Sequence, residues 1–217
     1  MDILVLGDSH TFLFSLINSE QYRFDICYVS GATAQGMVNS NSSTNALCIF
    51  REKVSVGKRF NKILIMLGEV DCAYLIWVRS SREGIDIDAQ IDLCVKNLFD
   101  FIKNTLIDEL SYNCSDIIVL GAHLPAIRDD VDRSLIAGAR AEVDASQYLR
   151  TQKTLLYNST LQEASLALGC KYIDITSHLI GGCGVIKDEF LCEEPGNFHI
   201  RAEMTSPLWL SKLVGIL

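Results

Sequence analysis

The chain reads as an α/β protein, a three-layer α/β/α sandwich built on a five-stranded parallel sheet in the order 2-1-3-4-5. Three features of the sequence predict this. Five short apolar runs lie between segments of helical character, as expected for strands buried on both faces. Strand and helix signals alternate along the chain, which implies right-handed parallel crossovers. The tetrad Gly7-Asp8-Ser9-His10 follows the first run directly and opens the next helical segment, at the sheet edge where open α/β sheets present ligands.

The elements follow in order. Residues 3–6, Ile-Leu-Val-Leu, form the first strand, and residues 11–17 open a helix. Strands are expected at 24–29, 63–67, 116–120 and 172–175, each rich in Ile, Val, Leu or aromatic residues. Helices are expected at 43–54, 88–110 and 145–168, the last stopped by Gly169. A closing helix is expected from about Ser206 to the C-terminus. It places Pro207 in its first turn and Trp209, Leu210, Leu213 and Ile216 on its inner face. Residues 124–144 carry Arg128, Asp129, Asp130, Asp132, Arg133 and Arg140 with little periodicity, and read as a loop or lid over the active edge.

A length of 217 residues at 49% hydrophobic content suits one core, and no repeat or low-complexity stretch divides residues 1–217, which read as a single domain. The net charge of −8, with no basic cluster among aromatics, argues against nucleic acid as a partner. No apolar run reaches the length of a membrane span, and Asp2 stands where a signal peptide would carry basic residues. The expected location is therefore cytoplasmic. The eight cysteines form no CxxC pair and several lie in apolar runs, so reduced, buried thiols are expected. Only Cys183, Cys192 and His199 raise the question of zinc, and no metal or cofactor is assigned.

Four separated segments fall at strand ends on one edge: residues 7–10, residues 30–36 (Ser-Gly-Ala-Thr-Ala-Gln-Gly), residues 68–71 (Gly-Glu-Val-Asp), and residues 197–199 (Asn-Phe-His). In this order they resemble the blocks of the SGNH (GDSL-like) hydrolase superfamily across almost the whole chain. The resemblance implies a flavodoxin-like sheet, with Ser9 as nucleophile and the Ser9 and Gly31 backbone N–H groups as oxyanion donors. A serine hydroxyl needs a base to take its proton as it attacks, and His199 is the candidate. The superfamily's third oxyanion donor is an asparagine, where this chain has Val70. Its acid stands three residues before the histidine, where this chain has Gly196. Of the nearby residues only Glu194 supplies charge, so Glu194 is the candidate acid, although Asn197 or a backbone carbonyl also suffices to hold the tautomer.

Asp8, Thr33, Gln35, Glu69, Asp71, His123 and Asn197 are the candidate substrate contacts, with an anchoring role for Asp71 the stronger alternative. His10 is assigned a packing or capping role. The function expected is a serine-dependent esterase or acyltransferase acting on an O-acyl ester of a carbohydrate or small metabolite. The alternative is a catalytically impaired relative that binds a sugar, nucleotide or protein partner of polysaccharide biosynthesis in the same crevice.

Overall fold

The computed structural model describes residues 1–217. Strands β1 (Asp2–Gly7), β2 (Arg23–Tyr28), β3 (Lys62–Met66), β4 (Ile117–Leu120) and β5 (Lys171–Ile173) form one sheet in the order β2-β1-β3-β4-β5. Every pairing is parallel, with Leu4 opposite Ile63 and Leu64 opposite Ile118 in the centre. The fold class and strand order are those expected from the sequence. Strand periodicity divides the core into two. Leu4, Leu6, Ile63, Ile65, Ile117 and Val119 face one apolar cluster, and Ile3, Val5, Leu64, Met66, Ile118 and Leu120 face the other.

Helices α1 (Ala46–Ser55), α2 (Ile76–Glu83), α3 (Ile87–Phe101) and α4 (Gln147–Leu168) supply apolar side chains to the first cluster. The second is covered by the 3-10 segment Ser9–Leu16, by α5 (Thr176–Leu179) and by α6 (Ala202–Val214), which brings in Trp209 and Leu213. No helix is long and apolar enough to cross a membrane.

Several elements differ from expectation, among them the short helix α5, which the sequence does not predict. Helix α6 begins at Ala202, four residues before the expected Ser206, so Pro207 lies inside it. A proline there leaves the Glu203 carbonyl without its helical donor, which the exposure of Glu203 to water makes tolerable. Helix α2 was not anticipated, because its entry, Asp71–Leu75, is π-helical and breaks the 3.6-residue period. The indole N–H of Trp77 donates to the Cys72 carbonyl there at 2.8 Å. The expected helix at 88–110 likewise turns π-helical over Ile102–Glu109. All eight cysteines are unpaired, and two of them, Cys48 and Cys183, are exposed rather than buried.

Two glycines fix the functional edge. At Gly7 a Cβ would meet the Met66 carbonyl oxygen at 2.3 Å, so only glycine lets the end of β1 lie this close to β3. Gly68 has φ +126° and would drive a Cβ to 2.2 Å from the Tyr157 ring, whose hydroxyl donates to the Leu67 carbonyl at 2.9 Å. Gly57 also has a positive φ, +95°, but faces open space. Gly57→Ala is therefore expected to cost only backbone strain, about 1 kcal/mol, whereas Gly68→Ala adds a ring clash and should cost at least about 2 kcal/mol more. Urea midpoints of the two variants measure the difference, and equal losses would contradict this account of Gly68.

Candidate active site

Asp8 caps the 3-10 segment that carries the nucleophile candidate. Its carboxylate accepts the His10 backbone N–H at 2.9 Å, and its carbonyl accepts from the Thr11 hydroxyl at 2.8 Å. Gly7, Asp8, His10 and Thr11 are all buried, and Ser9 alone of this stretch reaches the surface. The Ser9 hydroxyl lies 2.8 Å from Nε2 of His199, 190 residues away in sequence. His199 sits in the segment before α6, where its backbone N–H donates to Oδ1 of Asn197 at 2.9 Å and its Nδ1 lies 3.3 Å from the same oxygen. Since Oδ1 of an amide only accepts, Nδ1 carries the ring proton and Nε2 faces Ser9 as the acceptor.

Glu194 does not reach the imidazole. It is exposed and accepts from Nδ2 of Asn197 at 3.2 Å, one residue removed from the ring. The geometry thus moves the orienting contact from Glu194 to Asn197. Nor does position 196 admit an acid: Gly196 has φ +78°, and a Cβ there would lie 2.4 Å from the Leu135 carbonyl oxygen.

Ser9 stands where two cavities meet. One is lined by Ser9, Gly31, Val70, Tyr74, Arg140 and His199, with residues 137–139 along its rim. The Gly31 N–H faces no acceptor within the protein, and the Ser9 N–H, first in its helical segment, has no intrahelical one. Both donors therefore border the space beside the Ser9 hydroxyl. Val70, on the same wall, offers no hydrogen-bond donor from its side chain. The second cavity, about 300 Å³, is lined by Leu13, Tyr28, Ile200 and Ala202 together with Ser9 and His123.

Behind Ser9 lies a closed set of buried charges. Arg140 grips Glu69 with two hydrogen bonds, of 3.0 and 2.7 Å. Nδ1 of His10 lies 3.0 Å from Asp8 and 3.8 Å from Glu69. Burial opposes a charge on His10, but the Glu69 and Asp8 carboxylates outweigh it and raise its pKa to about 9. Burial raises the Glu69 pKa, but Arg140 and then His10 bring it below the ordinary carboxylate value. Two carboxylates, an imidazolium and a guanidinium then sum to zero charge. The Arg140 guanidinium also stacks on Phe198, 4.2 Å from its ring centre, and on Tyr74 at 4.8 Å. Because Arg140 belongs to the charged segment after β4, this grip holds residues 137–139 over the crevice, as a lid latched from beneath.

The His10 and His199 ring centres are 4.8 Å apart. Burial and then the His10 charge lower the His199 pKa to about 4, so His199 is neutral at pH 7. Burial and then the His10 charge push the His123 pKa well below its ordinary value, so His123 too is neutral.

Several expected substrate contacts have other partners. Asp8 and Glu69 are spent within the buried charge set. Asp71 is fully buried and accepts the Ala34 and Gln35 backbone N–H groups at 2.7 and 3.2 Å, with the Cys94 thiol at 3.3 Å. Burial raises its pKa to about 6, and its place is that of an anchor for the loop after β2. Thr33 accepts the Gly36 N–H at 3.0 Å within that loop, and Gln35 receives the Arg79 guanidinium. Asn197 faces His199, leaving His123 as the expected contact that borders the Ser9 cavities. Sequence reasoning missed Arg140 and Phe198 and gave His10 too small a part. The one available signal was Glu69, a carboxylate expected at a buried strand end and therefore in need of a cation. No group of three or more His, Cys, Asp or Glu side chains is arranged to hold a metal ion.

No protein-family model and no curated protein matches the chain in sequence. Solved structures do match. A protein from Streptococcus pneumonia described provisionally as a platelet activating factor superposes with a TM-score of 0.66 at 17% identity, over 99% of this chain and 83% of the other. An aryl esterase of M. smegmatis superposes at 0.58 and 13% identity, over 100% and 99%. A GDSL-like lipase of Bacteroides thetaiotaomicron gives 0.56 at 13% identity, over 100% and 89%. The chain therefore has the SGNH hydrolase-like fold.

The sign of the His10 shift is testable. A folded pKa of about 9, above the ordinary 6.5, means that the charged ring stabilises the fold fully below pH 6.5 and that this contribution is lost as pH rises through 9. The stability gap between the protein and His10→Gln should narrow between pH 6 and pH 9.5 by on the order of 3 kcal/mol. Urea unfolding at the two pH values measures it, and an unchanged gap would contradict the assignment of charge.

Proposed function

We propose that the protein is a serine esterase that cleaves an O-acyl ester by way of an acyl-enzyme, and the observation that carries this reading is the 2.8 Å contact between the Ser9 hydroxyl and a neutral His199 Nε2. Ser9 Oγ forms a bond to the ester carbonyl carbon while its proton passes to His199, and the carbonyl electron pair becomes an oxyanion facing the Ser9 and Gly31 N–H groups. Collapse of this intermediate breaks the bond to the alcohol, which leaves with the proton held on His199. Water then repeats the sequence on the acyl-enzyme and releases the acid. An alcohol in place of water makes the same chemistry an acyl transfer. The lidded crevice lined by Tyr74, Phe198 and Arg140 suits a carbohydrate or small polar metabolite as the alcohol part. The formed Ser9–His199 pair favours this reading over that of an impaired binding protein.

Two features predict a slow enzyme. Val70 provides no third oxyanion donor, a loss worth about a hundredfold in rate. Asn197 fixes the tautomer of His199 but gives the developing imidazolium no negative charge, and His10 opposes it.

Turnover of simple activated esters should fall at least a thousandfold in Ser9→Ala and in His199→Ala, and no more than about threefold in Glu194→Ala, whose carboxylate touches only Asn197. Val70→Asn should raise kcat at least tenfold, since Val70 already faces the crevice. Undiminished turnover in Ser9→Ala would overturn the proposal.

The pH dependence follows from His199, which must be neutral to act. With its pKa at about 4, kcat/KM should stay level from neutral pH to about pH 5 and fall through pH 4. His10→Gln removes the neighbouring charge but not the burial that is the larger cause of the shift, and should move this acid limb upward. An acid limb that does not move in His10→Gln would contradict the influence given to His10.

A further inference from the structure

The wall of the second cavity beside Ser9 includes His123, whose ring the reaction above does not use. His123, three residues beyond β4, is 2% exposed, and its Nε2 lies 3.1 Å from the indole nitrogen of Trp209, itself fully buried in α6. An indole N–H can only donate, so Nε2 of His123 must accept, and the ring proton is forced onto Nδ1. That Nδ1–H is buried and meets no acceptor anywhere in the protein. Leaving such a donor unpaired is costly, and the cost disappears once a bound group supplies an oxygen. Apart from Ser9 and the histidines His10 and His199, the rest of the cavity is largely apolar, with Leu13, Tyr28, Ile200 and Ala202 along its walls. Its volume of about 300 Å³ is room for roughly ten non-hydrogen atoms at about 30 Å³ each.

We propose that this cavity receives the acyl part of the ester and that His123 selects a short acyl chain bearing an acceptor oxygen, a hydroxyacyl or oxoacyl group, over the plain alkanoyl group of the same length. The inference rests on the esterase reading and gives it a substrate class. An apolar pocket alone separates chains of different length only modestly. A buried donor left unpaired by the wrong substrate discriminates far more strongly, because the oxygen-free chain fills the same space and satisfies nothing. Trp209 acts here as a positioning residue: its N–H fixes which nitrogen of His123 carries the proton. The oxygen recognised belongs to the acyl chain beyond the scissile carbonyl, since the carbonyl oxygen turns towards the N–H groups of Ser9 and Gly31 in the other cavity.

The test compares phenyl esters of butanoic, 3-hydroxybutanoic and 3-oxobutanoic acid, each kcat/KM divided by the rate of the same ester with hydroxide, which removes the intrinsic activation by the added oxygen. The unaltered protein should favour the oxygenated esters at least tenfold. In His123→Phe, which keeps ring volume and loses the donor, the ratio should fall to within about twofold of unity. Trp209→Phe, which frees the tautomer, should lower the ratio while leaving KM for the butanoate ester little changed. Binding of the corresponding methyl esters to Ser9→Ala, followed by the nitrogen-proton signal of His123 Nδ1, gives the same comparison without turnover. It should show the oxygenated esters binding at least tenfold more tightly and moving that signal. A ratio near unity in the unaltered protein, or a preference that survives His123→Phe, would overturn the inference. If Ser9-dependent turnover of the butanoate ester persists in that case, the esterase reading stands and only the selection by His123 fails. Turnover that survives Ser9→Ala would instead remove the esterase reading itself.

Discussion

The buried pairing of Glu69 with Arg140, completed by Asp8 and His10, is the constraint on which the functional edge depends. Each of these charges would be costly to bury alone, and removing one partner of such a set typically costs 3–5 kcal/mol. Together they join four parts of the chain that share no sequence proximity: the end of β1, the end of β3, the segment after β4, and Phe198 beside His199. The set fixes the cap of the Ser9 turn, holds residues 137–139 across the crevice, and puts a positive charge 4.8 Å, ring to ring, from the candidate base.

Two neighbouring imidazoles are thereby given opposite protonation states. His10, against two carboxylates, is charged at neutral pH, whereas His199, facing Ser9 on one side and an amide oxygen on the other, is not. Separation of this kind is how a site assigns the roles of base and electrostatic neighbour to chemically identical groups. In the proposed mechanism it means that His199 is always ready to accept a proton and holds one with difficulty. The absence of a carboxylate at position 196 has a steric origin, because a left-handed backbone pressed against the Leu135 carbonyl admits glycine alone. The orienting oxygen then has to come from the next residue, Asn197.

The sequence disclosed the architecture because each strand alternates between two apolar clusters, a pattern that needs no knowledge of partners. It also disclosed Ser9 and His199, whose residue types and strand-end positions state their chemistry locally. What stayed hidden depends on contacts across the fold. Arg140 is one of eight charged residues without periodicity between positions 124 and 144, and nothing in its own neighbourhood singles it out as the one that turns inward to Glu69. Glu194 carries the charge that a sequence reading favours, but its carboxylate reaches only Asn197, whose amide oxygen faces the ring. Helix α4 reads as weakly amphipathic because its inner face carries Gln147, Arg150 and Asn158, which bind the backbone of the segment after β4, Asn158 bracketing Ala122 at 2.8 and 3.0 Å. The π-helical turn at Asp71 conceals α2 by breaking the period, and the same turn aims the Asp71 carboxylate at the loop after β2.

The claim at the centre of this account is that His199 activates Ser9 as a nucleophile at neutral pH. The most direct measurement is the reaction of the protein with an aryl fluorophosphonate, followed by intact mass and peptide mapping. The account predicts one adduct per chain, on Ser9, formed at a rate that falls at least a hundredfold in His199→Ala. No adduct, an adduct on another residue, or a rate indifferent to His199 would contradict it.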